Sequence, residues 1–218
     1  MINSKFHIVM INYAYGVEGI AANELLNQTP VLTEWAEAVQ ASGAKVTVFQ
    51  RFSHTEAVQR ANVTYHLIQD QFGLDLRAWQ LPCQLHWSVR VLCKASVNAG
   101  YATLVHANRL CYPIQTWHLH SLLPPTCALV LQHQGCLPWS WPQRVFQWWS
   151  LRKADGFLFA NPQVAARWQQ AQLVHPHQSI HILSQELSTS SSPAHDANLQ
   201  QLNIYQAIYQ HHLRRLSE

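Results

Sequence analysis

His133 stands at the end of the apolar run CALVLQHQG, with Gly135 two residues beyond it. An imidazole in that place can hydrogen-bond a hydroxyl or polarise a developing charge, and the glycine lets a ligand come close to the backbone. A second polar tip, His106 with Asn108, closes the run YATLVHAN, and Asn161 closes GFLFANPQ. The first run, FHIVMINYAYGVEG, ends in Gly16-Val17-Glu18-Gly19. Two small residues there would let backbone N–H groups reach a phosphate or a sugar, and Glu18 between them is a candidate base or hydrogen-bonding carboxylate. Four short buried-type runs that each stop at a polar tip are the pattern of a parallel sheet. Its ligands sit beyond the carboxyl ends of the strands.

Each candidate also has a plainer reading. Two glycines in a loop make a turn, a loop glutamate is commonly solvated, and a histidine at a strand end can be a structural cap. Asn161, followed by Pro162, fits the cap and first position of a helix. His118-x-His120 and His175-Pro-His177 have spacings that could share a metal in an extended chain. The first pair falls in a predicted helix, where i and i+2 diverge, and neither has an acidic partner nearby in sequence. No metal or other cofactor is called. The cysteines at 83, 93, 111, 127 and 136 are odd in number and form no C-x-x-C pair, which argues against a disulfide framework or a zinc ribbon. No serine nucleophile elbow and no Cys–His pair with an orienting partner stands out.

The elements that must carry these residues follow from the order of patterns. Lys5 to Ile11 is a buried-type strand, followed by a polar-aromatic loop from Asn12 to Pro30. In LTEWAEAVQASGAKV, Leu32, Trp35, Ala36 and Val39 recur at helical spacing, and Gly43 supplies a stop before a second strand, Lys45 to Phe49. This is a βαβ unit, right-handed by rule. A third strand, 63 to 68, precedes a helix over 75 to 97 that Pro82 must break or kink. Strands at 101–106, 127–132, 156–160 and 180–183 then alternate with helices over 110–123, 143–154 and from Pro162. In the 143–154 helix Val145, Trp148, Trp149 and Arg152 share one face, which reads as core packing. From Ser184 the composition turns to that of a flexible linker, SQELSTSSSPAHDAN. Leu199, Leu202, Tyr205, Tyr209 and Leu213 then trace a last helix. The predicted fold is α/β: a Rossmann-like open parallel sheet with helices on both faces, plus a C-terminal helix after a Ser-rich linker. Residues 1–187 form the domain, 188–197 the linker, and 198–218 a helix that docks back on it.

The 218 residues are 11% charged, with a formal net charge of +3 and fourteen histidines. No long Lys/Arg cluster marks a nucleic-acid groove. The N-terminus lacks an export signal and no apolar stretch is long enough to span a bilayer, so the expectation is a cytoplasmic protein with membrane contact at most peripheral. The Gly loop is not G-x-G-x-x-G. Phe49-Gln50-Arg51 also stands where a nicotinamide-binding fold places its ribose acid, which disfavours an ordinary dinucleotide-binding domain.

In order, the segments resemble the amino-terminal, acceptor-side domain of GT-B glycosyltransferases of the family 4 type. FHIVMINYAYGVEGIAANELL is similar to that family's opening strand and Gly-Gly loop, and WAEAVQASGAKVTVFQRF to its helix, glycine and second strand. LVHANR resembles a strand ending in His-x-His, with Asn108 in place of the second histidine. Gln132-His133-Gln134-Gly135 resembles a histidine-glycine strand tip. KADGFLFANPQVAARW resembles an alanine-aspartate, strand, serine, helix segment, with Asn161 in place of serine. The similarity covers residues 5 to 187. It implies a nucleotide-sugar-dependent hexosyltransferase acting with retention on a glycan or lipid-linked acceptor. It also implies catalytic roles for His133 and Glu18 and substrate contacts from Gly16, Gly19, His106, Asn108, Gly135 and Asn161. The family's donor-binding domain has no counterpart here, so the chain alone is expected to be inactive and to need a separate donor-binding domain. The alternative is a non-catalytic carbohydrate-binding or scaffold domain of the same fold.

Overall fold

Runs of β-branched and aromatic residues with no polar alternation can only be satisfied by burial on both faces, and this chain meets that demand with one sheet. A computed structural model describes residues 5–15, 19–73, 76–77, 79–108, 113–133, 137–183 and 194–217. The strands are β1 (Phe6–Tyr15), β2 (Lys45–Phe52), β3 (Glu56–Arg60), β4 (Val63–Gln69), β5 (Ala102–Asn108), β6 (Ala128–His133), β7 (Gly156–Phe159) and β8 (Ser179–Ile182). They form a single sheet in the order β3-β4-β2-β1-β5-β6-β7-β8. Every pairing is parallel except the β3–β4 hairpin at one edge. This is the Rossmann-like α/β fold that the sequence predicts.

Helices α1 (Ala22–Gln28), α2 (Pro30–Ala41) and α7 (Ala194–Ser217) cover one face. Helices α3 (Cys83–Asn98), α4 (Pro113–Leu122), α5 (Gln143–Leu151) and α6 (Pro162–Gln170) cover the other. On the first face Ile8, Met10, Val46, Val48 and Leu104 pack under Ala36, Val39, Tyr205 and Ile208. On the second, Val9, Ile11, Val105, Leu129 and Phe157 pack under Leu85, Val89, Leu119 and Trp168.

Several elements differ from the sequence reading. The stretch read as a loop from Asn12 to Pro30 contains the end of β1 and helix α1. The exposed strand β3 adds a hairpin that its polar sequence EAVQR hides. Helix α3 starts at Cys83, directly after Pro82, and the described part of α4 runs from Pro113. The tryptophan face of α5 is turned outward. Its buried residues are Gln147, Ser150 and Leu151, while Val145 and Trp148 are exposed. Gln147 is drawn inward because its Oε1 accepts the Trp139 backbone N–H at 3.0 Å.

Two buried charge clusters fix the frame. Arg51, 1% exposed, pairs with Asp70 and also donates to the backbone oxygens of Tyr13 (2.9 Å) and Gly73 (2.6 Å), tying β2 to β1 and to the turn after β4. Asp155, just before β7, accepts the Leu129 N–H at 2.7 Å and the Nδ1–H of His212 at 2.9 Å, and it pairs with Arg215. The last two residues belong to α7. That helix is therefore gripped at the amino edge of the sheet by one carboxylate.

Candidate functional site

The strand order reverses between β1 and β5, since the chain builds outward from β1 through β2 and then returns to place β5 on the other side. A crevice at the carboxyl ends of those two strands is where an open α/β sheet holds a ligand. Register puts Asn12 beside Asn108, Gln50 beside Asn12, and Gln132 beside Asn108. In-register parallel neighbours point to the same face. Four amide side chains thus form one row across four strands, on the face covered by α2 and α7.

Above this row lies a cleft of about 210 Å³, walled by Asn12, Ala14, His106, Asn108 and Gln132 from the sheet and by Thr29, Pro30 and Trp35 from the start of α2. That is below the roughly 300–1,000 Å³ of pockets that hold drug-sized ligands, so the cleft suits a single small ring. The strand itself is reshaped here. The β1–β2 register shifts between Asn12 and Tyr15, and Asn12 Oδ1 accepts the Ala14 N–H at 3.1 Å, holding the irregular turn that brings Ala14 into the wall. Among the described residues no charged side chain lines the cleft. The start of α2 adds the partial positive charge of a helix N-terminus, and its cap residue Thr29 makes no side-chain capping bond.

His106 sits at the floor, 3% exposed. Trp35 Nε1–H donates to Tyr205 Oη at 2.8 Å, and the same oxygen is 2.7 Å from His106 Nδ1. Since the indole is only a donor, the buried tyrosyl proton is best satisfied by donating to Nδ1. That leaves the ring proton on Nε2, which makes no hydrogen bond of normal geometry, and Asn108 Oδ1 has none either. Burial lowers the His106 pKa to about 4, with Gln132 beside it pulling the other way. The imidazole is therefore neutral at physiological pH. A neutral N–H donor and an amide oxygen side by side can engage adjacent hydroxyls.

The predicted site residues do not all meet. His106 and Asn108 share this cleft. His133 lies on the opposite face of the sheet, 1% exposed, with its ring 4.8 Å from the Trp168 ring centroid and 5.5 Å from that of Phe159. Asn161 caps α6: its Oδ1 accepts the Val164 N–H at 2.9 Å. Gly19 occupies a turn with φ +83°, a conformation that favours glycine. Gly16, Glu18 and Gly135 lie outside the described residues.

Sequence reading missed Asn12, Gln132, Thr29, Trp35 and Tyr205 as cleft components. Only register and a long-range contact unite them. The first histidine pair separates as the helical spacing predicts: His118 Nδ1 lies 2.7 Å from His86 Nδ1, and His86 Nε2 lies 2.9 Å from Tyr13 Oη, whereas the rings of His175 and His177 stack with centroids 5.4 Å apart. Among the described residues no group of three or more His, Cys, Asp or Glu could hold a metal. The Cys93 thiol packs against Cys127, which together with burial pushes its pKa up. No described helix is long and apolar enough to cross a membrane.

No protein-family model matches this chain, and no curated protein sequence does. Solved structures do. A chain of sucrose-phosphate synthase from Thermosynechococcus elongatus matches with a TM-score of 0.57 and 15% identity, covering 93% of this chain and 99% of that one. A longer chain of the same enzyme matches with a TM-score of 0.52 and 15% identity, over 90% of this chain and 52% of that one. This chain thus spans about half of that longer enzyme. An Escherichia coli trehalose-6-phosphate protein bound with UDP-2-fluoro glucose matches at a TM-score of 0.46 and 11% identity, over 89% of this chain and 54% of that one. The likeness is one of fold: the chain shares the Rossmann-like α/β architecture of the sucrose-phosphate synthase chains.

Proposed function

We propose that this chain is the acceptor-side half of a glycosyltransferase that moves a hexose from a nucleotide sugar to a glycan or lipid-linked acceptor, the donor being carried by a separate domain. The observation that carries this reading is the cleft at the strand-order reversal, whose described lining is polar and without charge. Its wall offers the buried His106 Nε2 with the Gln132 amide beside it, Asn108 Oδ1 and the Trp35 ring. Amides match vicinal hydroxyls, and an indole covers the C–H face of a sugar. A phosphorylated ligand would need cations, and the described residues of this wall supply none. The shared fold with sucrose-phosphate synthase supports the class of reaction.

In this reading His133 and Glu18 serve the transfer step, from the tip of β6 and the loop after β1, once a donor-bearing domain stands opposite. Alone, half a cleft leaves the donor pyrophosphate in water, where electrostatic stabilisation is weak. Calorimetric titration with oligosaccharides and with UDP- and GDP-sugars tests it. Saccharide binding without nucleotide binding is the expected result, and Asn108→Ala should weaken it. Tight nucleotide binding by this chain alone would contradict the reading.

One observation favours a second function. Among the described residues no carboxylate lines the cleft, and a carbohydrate-binding module with no transfer chemistry would need nothing more than these residues. Adding a donor-bearing domain separates the two: transfer appears only in the first case.

A further inference from the structure

The charge of this chain is divided along its length. From Leu76 to Ile182 the sequence holds eight Lys or Arg residues and one acid, Asp155, which is buried in its contacts with α7. Residues 1–75 hold four Lys or Arg against seven acids. The basic stretch includes helices α3, α4 and α5, none of which contains a carboxylate. Their outer surface is also where large apolar side chains are left in solvent. Trp79 is 66% exposed, Trp87 55%, Trp141 75% and Leu137 58%.

Several aromatics of this surface are contiguous. Trp79, Ile114, Trp139 and Phe146 line one shallow hollow. The Phe146 ring lies 6.2 Å from that of Trp149, which lies 5.7 Å from that of Trp117. Arginines lie on the exposed rings: Arg90 at 4.6 Å from the Trp87 centroid, Arg152 at 5.6 Å from Trp148 and Arg77 at 5.8 Å from Trp79.

We propose that the outer surface of the α3–α4–α5 layer docks on an anionic lipid bilayer surface. Tryptophan is the side chain best suited to the boundary between headgroups and acyl chains, and arginine beside it meets lipid phosphates. Exposed aliphatic side chains, Val91 on α3 and Val145 on α5, have nothing to gain from a phosphate backbone but enter the acyl boundary favourably. The arginines stack on rings instead of tracking a line, which fits a planar charged surface better than a nucleic-acid strand. This inference does not depend on the acceptor reading, because the surface lies on the face of the sheet opposite the amide cleft.

The test uses the full chain with vesicles of phosphatidylcholine alone and of phosphatidylcholine and phosphatidylglycerol in equal parts. Sedimentation with the mixed vesicles only, a blue-shifted tryptophan emission and weakening by added salt are expected. Trp79→Ala with Trp87→Ala should lower the partition coefficient about tenfold or more. Arg77→Gln and Arg90→Gln should each lower it roughly fivefold. Circular dichroism and the urea midpoint of each variant show whether the fold is intact. Failure to sediment with the mixed vesicles overturns the proposal, as does equal sedimentation of correctly folded aromatic variants. Binding to single-stranded RNA without vesicle binding, or self-association that buries the same tryptophans, also overturns it.

Discussion

Tyr205 Oη and His106 Nδ1 lie 2.7 Å apart although 99 residues separate them in sequence. The bond joins the last helix to the fifth strand at the floor of the cleft and sets the tautomer of the histidine that faces it. Tyr205→Phe should leave Trp35 Nε1 without its acceptor and His106 free to move its proton to Nδ1. A stability loss of about 1–3 kcal/mol is expected by urea denaturation. Saccharide affinity should fall further than that of a variant destabilised equally elsewhere.

Stability should depend on pH through three buried histidines. Burial, with Lys45 nearby, holds His7 at about 4; burial, with His118 nearby, holds His86 at about 3; and burial holds His106 at about 4. The unfolded chain takes up these protons near pH ~6.5, so between there and pH ~4 it binds more protons than the fold does. Their contribution is complete above that range and is lost as the pH falls through it. The urea midpoint should drop between about pH 7 and about pH 4, by an amount worth several kcal/mol in total. His106→Gln should flatten that slope.

Asp155 is the single carboxylate that holds both His212 and Arg215. Removing it leaves two donors without their acceptor and the Leu129 N–H unpaired, so Asp155→Ala should cost about 3–5 kcal/mol. Hydrogen exchange should show the end of α7 opening first. Unchanged protection of α7 would show that apolar packing alone retains the helix.

The separation of these elements in sequence explains what could be read beforehand. The continuous apolar runs of β1, β2, β5, β6 and β7 announce a parallel sheet, because only strands buried on both faces look like that. His106 and Asn108 were visible as its tips. The amide row was not, since Gln50, Asn12, Asn108 and Gln132 become neighbours only once the register is known. Trp35 and Tyr205, 170 residues apart, carry no local sign of meeting. The α5 tryptophans showed a shared face but not its direction, which is settled by Gln147 turning inward to a loop N–H. Helix α1 was missed because ANELLNQ shows too little periodicity in two turns.

His133 and His106 occupy opposite faces, which separates their effects. His133→Ala removes a ring packed against Trp168 and Phe159 and should cost about 1–3 kcal/mol of stability. Saccharide affinity in the cleft should change little, while transfer in the presence of a donor-bearing domain should fall. Equal affinity losses for His133→Ala and His106→Ala would contradict this division.

Gly156 begins β7 under α7. A Cβ there would lie 2.7 Å from Ser179 Oγ and 3.1 Å from Ile208 Cγ2. Gly156→Ala should therefore destabilise by about 1–3 kcal/mol through overpacking. Combined with Ile208→Ala it should cost less than the sum of the two, and strict additivity would show that the helix does not sit against this glycine.

Helix α7 runs from Tyr205 at the cleft floor to Arg215 at the opposite edge of the sheet, about 15 Å along its axis. The middle of the helix and its last turns are held by different chemistry, a neutral tyrosine–histidine bond and an ionic clasp. Any ligand that steadies His106 also steadies Tyr205, and so favours the seated helix over the lifted one. By reciprocity, a change at the Asp155 clasp that favours the lifted helix weakens the cleft by the coupling free energy between the two sites. A mutation or an added anion at the far edge of the sheet is thus a dial on affinity that touches no ligand atom.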